Sequence, residues 1–396
     1  MKNISIIIPT FHFAKTTHKT IQACLAQTHL PSELIIIDSS DDNSIKDLIS
    51  EIKTDIPIIY KGVSKLFPGE ARNLGASLSN SELLAFLDSK TIPVNDWLET
   101  NLNAMKESNA DVIFGNTKYI AETSFQKSLQ VCTFGSKPVE STPGSLISMS
   151  NFFKSGRFQE AVRTGDDMAW RDTIKNSSMN YGSPSKATLS YNELPKELFP
   201  TLKRFFIYQL HGSRVNIQNT PKNIMLSFFL MLITILVPKW NAFVGWESSI
   251  LYFPNITKIY ISSIIISISM VILLNRGWIT RYANSIVGFS AIFILFIALF
   301  MCAFYWNAVI AGWVEDSVWY IPHITKIFVS FCLACSIIYR GFYFPLNNGI
   351  SLSELLPFSW IKAGLLGLML DIVKAPGFIL GALIRLIYPK SLHRKQ

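Results

Sequence analysis

Residues 4–10 read Ile4-Ser5-Ile6-Ile7-Ile8-Pro9-Thr10, a β-branched run that closes with a proline and a threonine. Such a run is typical of a strand buried on both faces, and the proline marks the turn that follows it. A helical pattern covers 16–27, and Leu34-Ile35-Ile36-Ile37 then forms a second apolar run that ends at Asp38. Two continuously apolar strands joined by a helix indicate a right-handed βαβ unit on a parallel sheet.

The same alternation continues more faintly along the first half of the chain. Strand patterns lie at 56–60, 83–87 and 111–114, and helical patterns at 45–52, 70–78 and 97–107. Doubly wound sheets bind ligands beyond the carboxyl ends of their strands. Thr10, Asp38 and Asp88 each follow a predicted strand, so we expect them to converge on one crevice. The sequence therefore predicts an α/β, Rossmann-like domain with an acidic site at one edge of its sheet.

The second half of the chain has a different character. At 49% hydrophobic and 16% charged residues, the chain is too apolar for an ordinary soluble enzyme, and the apolar excess is concentrated at about 222–388. We predict three parts: an α/β domain at 1–215, transmembrane helices at 216–345, and interfacial amphipathic helices with a basic tail at 346–396. About four spans are expected, at 223–237, 259–274, 285–314 and 322–339.

The last part mixes charges with leucines. Lys362, Asp371, Lys374 and Arg385 interrupt its apolar residues, and Pro376-Gly377 falls in the middle. This pattern favours two amphipathic segments lying in the membrane interface over a fifth span.

The net charge of +9 raises the question of nucleic acid. The lysines and arginines gather beside the apolar runs instead of forming a stripe, which favours anionic lipid headgroups and disfavours a nucleic-acid partner. If the α/β domain lies in the cytoplasm, the loop with Arg276 and Arg281 falls on the same side as Arg340, so the charges agree with a multi-pass protein of the inner cell membrane. The five cysteines are odd in number, and we expect them to be reduced and inert, with Cys332 and Cys335 as packing residues.

Several short motifs in the first half occur together in a recognisable order. They resemble a family 2 inverting glycosyltransferase with the GT-A fold, over about the first 175 residues. The motifs are Ile7-Ile8-Pro9-Thr10-Phe11, Leu25-Ala26-Gln27-Thr28 with Pro31, Glu33-Leu34-Ile35-Ile36-Ile37-Asp38, Gly69-Glu70-Ala71-Arg72-Asn73-Leu74-Gly75, Phe86-Leu87-Asp88, Gly156-Arg157-Phe158 and Gly165-Asp166-Asp167.

The resemblance implies a nucleotide-sugar donor and assigns its contacts. Pro9, Thr10 and Asp38 would line the nucleoside pocket, with Asp38 accepting a hydrogen bond from the base. Arg72 and Asn73 would lie near the base and the diphosphate, since the planar guanidinium suits phosphate oxygens. Arg72 as an ordinary surface charge of a helix is the alternative.

The family pattern also has an Asp-x-Asp pair that binds ribose and a divalent cation, Mn or Mg. Asp88 matches its first position, whereas Lys90 occupies the second, and an ammonium cannot ligate a metal. One hypothesis is that the Lys90 charge partly replaces the cation on the leaving diphosphate, so that metal dependence is weak or absent. The other is that Lys90 points outward and a metal binds through Asp88 and water.

The resemblance further assigns the acceptor side. Asp167 matches the general base that deprotonates the acceptor hydroxyl, a role that burial would support by raising its pKa, and Asp166 would hold the acceptor or orient its neighbour. An N-capping role for the aspartate pair is compatible with this. Trp170 and Arg171 are candidates for an acceptor platform, or Trp170 for packing beneath the site.

Processive relatives carry Gln-x-x-Arg-Trp, which is absent from 208–214, so we expect one sugar to be added per binding event. The combined prediction is a membrane-bound glycosyltransferase that acts on a lipid-linked acceptor, either a polyprenyl phosphate or a lipid-linked glycan. The alternative is an inactive, membrane-anchored, nucleotide-binding scaffold subunit of a glycan pathway, for which Lys90 is the main argument.

Overall fold

The computed structural model of the chain describes residues 3–214 and 334–387, which contain one nine-stranded sheet flanked by helices. The strands are β1 (Ile4–Thr10), β2 (Glu33–Asp38), β3 (Ile58–Gly62), β4 (Leu83–Phe86), β5 (Thr91–Pro93), β6 (Val112–Tyr119), β7 (Val139–Ser148), β8 (Tyr181–Gly182) and β9 (Leu189–Tyr191). The helices are α1 (Ala14–Leu25), α2 (Ser44–Ser50), α3 (Pro68–Leu78), α4 (Trp97–Ser108), α5 (Ser124–Thr133), α6 (Met149–Lys154), α7 (Asp166–Lys175), α8 (Leu198–Arg214), α9 (Phe344–Asn347), α10 (Leu352–Leu355) and α11 (Ser359–Ile387).

The first half of the sheet is parallel, as the apolar runs predict. β1 lies between β2 and β4, and β3 pairs with the far side of β2. Thr10 is the register partner of Asp38, and Ile7 is the partner of Phe86, two residues before Asp88. The expected convergence of these strand ends at one edge is therefore confirmed.

The rest of the sheet has mixed directions that the sequence patterns do not predict. The strand order is β3-β2-β1-β4-β7-β6-β9-β5, with β8 paired to β6. β7 runs antiparallel to both β4 and β6, and β5 runs antiparallel to β9. Thr91 of β5 is the register partner of Tyr191 of β9, which brings the segment after Asp88 next to a strand 100 residues later in the chain.

Alternate residues of the buried strands pack into two apolar cores, one on each face of the sheet. Ile6 and Ile8 face a core formed with α1, α2 and α4, whereas Ile7 and Ile35 face a core formed with α3 and α7. This division follows from the two-residue period of a strand, and it explains why both faces of β1 and β2 are apolar.

A third core joins the two described parts of the chain. Leu129 and Phe205, from α5 and α8, pack with Leu355, Ala363 and Leu370 from α10 and α11. The C-terminal segment also contributes a π-helical turn over Tyr339–Tyr343. The α/β domain is therefore covered on one side by residues that follow it by more than a hundred positions.

The predicted membrane segments lie mostly outside the described residues. Three of the four spans, and all but the last residues of the fourth, fall within 215–333. Within the part of the chain that the structure describes, no helix combines the length and the apolar character needed to cross a membrane.

The prediction of two amphipathic segments separated at Pro376-Gly377 is wrong. The structure has one helix, α11, which continues through Pro376. Packing accounts for the continuity, because α11 lies along α8 with Gly377 and Gly381 close to the α8 backbone. Contacts of this kind outweigh the local tendency of a proline to end a helix.

Candidate active site

Arg72 connects the acidic groups of the site. It lies in the first turns of α3, which begins at Pro68. The N-terminus of this helix is capped by a hydrogen bond from the Phe67 backbone N–H to the Glu70 carboxylate. Arg72 is only 3% exposed, and its guanidinium donates from Nη1 to Asp166 Oδ2 and from Nη2 to Asp88 Oδ1, both at 2.5 Å. One side chain thus binds the end of β4 to the start of α7.

The burial of Arg72 excludes the alternative of a surface charge on a helix. Nη1 and Nη2 each donate one hydrogen bond to a carboxylate, and Nε makes no hydrogen bond within the described residues. A contact between Arg72 and the diphosphate of a donor stays a prediction. Although desolvation opposes the charged form, the carboxylates of Asp88, Asp166 and Asp167 outweigh it and raise the pKa of Arg72 above its ordinary range.

Asp166 is the carboxyl group whose titration the fold changes most clearly. Burial raises its pKa to about 7, the guanidinium of Arg72 acts in the opposite direction, and the negative charges of Asp167 and Asp88 add to the rise. Asp166 directly precedes Asp167, the residue proposed from the sequence as the general base.

Asp167 lies beside this network and remains half-buried. The N-cap position of α7 is held by Gly165, with φ of 92°, which has no side chain to cap the helix. The predicted capping by the aspartate pair therefore does not occur. Both aspartates lie instead in the first turn, where the helix dipole favours negative charge. The Thr142 hydroxyl donates to the backbone carbonyl of Asp167 at 2.8 Å and helps fix its position.

Asp38 organises the neighbouring corner of the crevice. Its side chain, in a residue 1% exposed, accepts from the Thr10 hydroxyl at 2.9 Å, from the Ser40 hydroxyl at 2.6 Å and from the Tyr60 hydroxyl at 3.0 Å. Burial, followed by the bond to Asp38, raises the pKa of Tyr60 to about 12. Thr10 and Asp38 are therefore brought together as predicted, with half-buried Pro9 preceding them on β1. A nucleoside base that donates to Asp38 would therefore share this carboxylate with the hydroxyl groups of Thr10, Ser40 and Tyr60.

Asn73 has a positioning role that the sequence interpretation misses. Its Nδ2 donates to the Phe158 carbonyl at 3.0 Å, and its Oδ1 accepts from the Phe158 backbone N–H at 3.0 Å. The amide therefore holds the loop containing Gly156-Arg157-Phe158 against α3, and its predicted place near the donor stays a prediction.

The predicted acceptor platform is wrong for Trp170. This side chain is 1% exposed, packs among Phe86, Phe114 and Phe158, and donates from Nε1 to Ser155 Oγ at 2.9 Å. It supports the site from beneath, which was the alternative interpretation. The neighbouring side chain of Arg171 binds β7, since its Nη1 donates to the Glu140 carbonyl at 2.6 Å.

Lys90 lies in the tight turn that follows β4. The turn is closed by the Thr91 backbone N–H, which donates to the Asp88 carbonyl at 3.0 Å. The Lys90 ammonium lies 3.3 Å from the centroid of the Phe13 ring, a cation–π contact. Partial burial and repulsion by Arg204 lower its pKa, while Glu193 and Asp88 act in the opposite direction. Lys90 is thus held near Asp88 and does not simply point into solvent.

The groups around Asp88 do not fit a Mn or Mg site. One oxygen of the Asp88 carboxylate is bound to Arg72, and the position of a second carboxylate is taken by the Lys90 ammonium. Hard divalent cations need several oxygen ligands. Within 3–214 and 334–387, the grouping of side chains that could hold a metal is His12, Asp41 and Asp42, which does not include Asp88.

Three residues near the site were not among the sequence candidates. Arg204 of α8 donates from Nε to the Tyr208 hydroxyl at 2.5 Å and from Nη2 to the Tyr191 hydroxyl at 2.9 Å. The sequence places Arg204 among the basic residues that flank an apolar run. Its spacing of four residues from Tyr208 on a helix is the local signal that indicates their contact.

Comparison with known proteins agrees with this geometry. Residues 5–163 match the family model described as glycosyl transferase family 2. The match includes the ends of β1, β2 and β4 and the whole of α3.

Individual relatives match this part of the chain. An uncharacterized glycosyltransferase of Rickettsia bellii is 31% identical over 174 residues, which cover 41% of this chain and 25% of that protein. The chain thus spans about a quarter of the length of that relative. The Escherichia coli protein named UDP-Glc:alpha-D-GlcNAc-diphosphoundecaprenol beta-1,3-glucosyltransferase WfgD is 27% identical over 218 residues, covering 51% of this chain and 83% of WfgD.

Among solved structures, residues 1–349 of S. aureus TarS in complex with UDP align with 62% of this chain and 76% of that chain. The sequence identity is 15% and the TM-score is 0.37. A TM-score of this size adds nothing to the fold assignment, which depends on the sheet topology and the family match.

Proposed function

We propose that this protein is a membrane-bound inverting glycosyltransferase that transfers one sugar per binding event from a nucleotide-sugar donor to a lipid-linked acceptor. The acceptor class is a polyprenyl phosphate or a lipid-linked glycan, used in the synthesis of cell-surface polysaccharide or glycolipid. The catalytic domain is proposed to face the cytoplasm at the inner membrane, where sugar nucleotides are found.

The observation that carries the proposal is the joining of Asp88 and Asp166 by Arg72. It places two carboxyl groups from separate elements, together with adjacent Asp167, at the edge where the parallel strands end. Ligands of such sheets bind at this edge. Asp38 and Thr10 lie at the same edge and supply polar groups for the nucleoside.

The mechanism follows from the charges at this edge. Asp167 acts as the general base that removes the proton of the acceptor hydroxyl, which then attacks C1 of the donor sugar on the face opposite to the departing diphosphate. Arg72 neutralises Asp88 and Asp166 and keeps α7 in register with β4. Without this compensation, three carboxylates would repel the diphosphate of the donor.

The lipid-linked acceptor and the membrane location are supported by the chain outside the described residues and by one relative. Residues 223–339 contain the long apolar runs, and WfgD is named for an acceptor linked to diphosphoundecaprenol. A polyprenyl carrier lies in a membrane, so an enzyme that uses it must reach the bilayer surface.

Metal dependence is proposed to be weak or absent, because the groups at Asp88 do not fit a divalent cation. Full transfer activity in excess chelator is the expected result. Loss of activity in chelator that Mn or Mg restores would contradict it.

The direct test uses the full chain purified in detergent. A panel of UDP-, GDP- and dTDP-sugars is screened for thermal stabilisation, and the donor found is then used to compare Asp167→Asn with the wild type. We expect donor binding to remain and transfer to a hydroxyl acceptor to be lost. Asp172→Asn, an exposed carboxylate on the same helix, is the matched control and should transfer normally.

The same variant distinguishes the two acceptor classes. A polyprenyl phosphate is already an anionic nucleophile and needs little help from a base, so Asp167→Asn should keep most of its activity toward it. Near-normal transfer by Asp167→Asn to a sugar hydroxyl would overturn the assignment of Asp167.

Lys90 favours a second candidate, an inactive membrane-anchored scaffold that binds nucleotides. It replaces the carboxylate that the family pattern has at that position. Nucleotide binding without release of nucleoside diphosphate from any donor, in the presence of acceptor lipid, would favour this candidate.

A further inference from the structure

We propose that Lys90 and Arg204 together form the binding site for a phosphate or diphosphate group at the proposed active site. The inference rests on the proposed function and adds a specific anion-binding pair to it. Arg204 lies on α8, beyond residues 5–163, so the site combines a turn of the family 2 domain with a helix outside the matched region.

The need for such a pair follows from the state of Arg72. A nucleotide-sugar donor carries about two negative charges on its diphosphate, and these require positive groups at the site. Arg72 carries one positive charge, and it already forms ion pairs with the carboxylates of Asp88 and Asp166. A diphosphate next to these carboxylates therefore needs further positive charge to offset its own.

The sheet register brings the backbone beside Lys90 next to Tyr191, which binds Arg204. Lys90 directly precedes Thr91, and Thr91 is paired with Tyr191 across β5 and β9. The hydroxyl of Tyr191 accepts from Arg204 Nη2 at 2.9 Å. A chain of two contacts thus links the backbone next to Lys90 to the guanidinium of Arg204.

The electrostatics agree with this placement. Burial lowers the pKa of Lys90, the nearby charge of Arg204 adds to this effect, and Glu193 and Asp88 oppose it. Within the described parts of the chain, no carboxylate lies at ion-pair distance from either cation. Two partly buried cations without an ionic partner are stabilised by an anion placed between them, and phosphate oxygens can accept from both.

The neighbouring aromatic groups hold the pair in position. Arg204 is fixed by the hydroxyls of Tyr191 and Tyr208, and the Lys90 ammonium lies over the ring of Phe13. Neither contact neutralises a positive charge, because hydroxyls and aromatic rings are uncharged. The two cations are therefore held in position without a counter-charge, which an anionic ligand would supply.

The phosphate oxygens have two sources, the donor diphosphate and the phosphate of a lipid-linked acceptor. Binding of UDP, uridine and undecaprenyl phosphate to the full chain in detergent, with chelator present, distinguishes them. The variants are Lys90→Met and Arg204→Gln, and the control is Lys203→Ala, which removes an exposed charge from the residue next to Arg204.

If the donor diphosphate is the ligand, each variant weakens UDP binding about tenfold and leaves uridine binding unchanged. If the acceptor phosphate is the ligand, UDP binding is unchanged and binding of undecaprenyl phosphate weakens by a similar factor. The control binds all three probes as the wild type does. Arg204→Lys keeps the charge and should lose less than Arg204→Gln.

Wild-type affinity of both site variants for UDP and undecaprenyl phosphate would overturn the inference, as would an equal loss in the control. A wild-type protein that binds none of the probes and none of the sugar nucleotides would instead overturn the proposed function, and the inference with it. Melting curves establish that each variant is folded. Lys90→Met keeps the test decisive if Arg204→Gln is unstable, because Lys90 lies in a half-buried turn and not in a helix interface.

Discussion

At the scale of single residues, Arg72 joins parts of the chain that are distant in sequence. Its partners Asp88 and Asp166 lie 16 and 94 positions away, and one of them is almost fully buried. Removal of one member of a buried ionic group leaves the others unpaired in a poorly solvated place. The stability of the domain should therefore depend on this side chain more than on other cations of the sheet edge.

We predict that Arg72→Met lowers the free energy of unfolding by about 3 kcal/mol, because Asp166 loses its counter-charge. The double variant Arg72→Met/Asp166→Asn should be less destabilised, since only the half-exposed Asp88 then lacks its partner. Chemical denaturation of the full chain in detergent measures both. Lys106→Met, on the exposed face of α4, is the control with little expected effect. A double variant less stable than the single one would contradict the role given to Asp166.

Asp166 also gives the stability of the protein a specific dependence on pH. Its pKa is about 7 in the folded chain, against an ordinary value of 3.8, so the folded state binds this proton more tightly than the unfolded state. The contribution of the group to stability is then greatest below about pH 4 and declines as pH rises toward 7.

We predict that melting temperatures of the wild type decrease between pH 5 and pH 7 relative to those of Asp166→Asn, which cannot titrate at this position. The measurement is a pair of melting curves across that range in the absence of nucleotide. Parallel pH profiles for the two proteins would show that Asp166 is ionised throughout and would contradict the raised pKa.

The residues of the site divide into those that local sequence predicts and those that it does not. Thr10, Asp38 and Asp88 are predictable because each ends a continuous apolar run, and the ends of parallel strands meet at one edge. The partners of Arg72 and the burial of Trp170 depend on how α3 and α7 pack against the sheet. This packing cannot be predicted from the local sequence pattern. The same holds for Arg204, whose contact with Tyr191 requires a strand pairing that is not visible in the sequence.

At the scale of elements, the predictable strands are those with unbroken apolar runs. β7 contains Pro143 and Gly144, which disrupt its period, and β9 is only three residues long. Their antiparallel placement follows from tertiary pairing. The helix α11 is a comparable case, because Pro376 predicts a break that packing on α8 overrides.

The contact between α8 and α11 depends on two glycines four residues apart. A Cβ atom at Gly381 would lie 2.2 Å from the carbonyl oxygen of Leu210, and one at Gly377 would lie 2.7 Å from that of Phe206. These distances are too short for any side chain, and they involve backbone atoms that cannot rotate away. Small residues at this spacing let two helices approach closely.

We predict that Gly381→Leu separates α11 from α8 and lowers the stability by about 3 kcal/mol or more. If the donor diphosphate is the ligand of Lys90 and Arg204, the variant should also weaken binding of UDP, because α8 carries Arg204. The matched control is Leu380→Ala on the exposed side of the same helix, which should change neither property. Thermal melting and UDP binding of the two variants, each in the full chain, provide the measurement. Unchanged melting of Gly381→Leu would contradict the close contact.

At the scale of the whole molecule, the segment 334–387 completes the α/β domain. Arg340 donates from Nε to Asp371 at 2.9 Å within this segment, and Lys127 of α5 pairs with Glu354 at 2.7 Å across the two parts. The Ser136 backbone N–H also donates to the Asn348 carbonyl at 2.9 Å. The parts of the chain on either side of residues 215–333 thus share one core, which includes Phe205 of α8, the helix that carries Arg204.

We predict that a chain ending at residue 214 does not form a stable domain, whereas one ending at residue 387 does. Without the C-terminal segment, four large side chains of the third core, Leu129, Val131, Leu194 and Phe205, lose their cover. At about 1.5 kcal/mol or more each, this exposure removes about 6 kcal/mol, a large part of the stability of an ordinary domain.

Size-exclusion chromatography and melting curves in one detergent compare the two chains. The shorter chain should aggregate or melt at a much lower temperature. Co-expression of residues 334–396 as a separate polypeptide should restore part of its stability, because the contacts that join the segment to the domain are non-covalent. If the chain ending at residue 214 stays monomeric and melts at the same temperature as the chain ending at residue 387, the third core is not needed for folding. The packing of α11 against α8 would then contribute little to the stability of the domain.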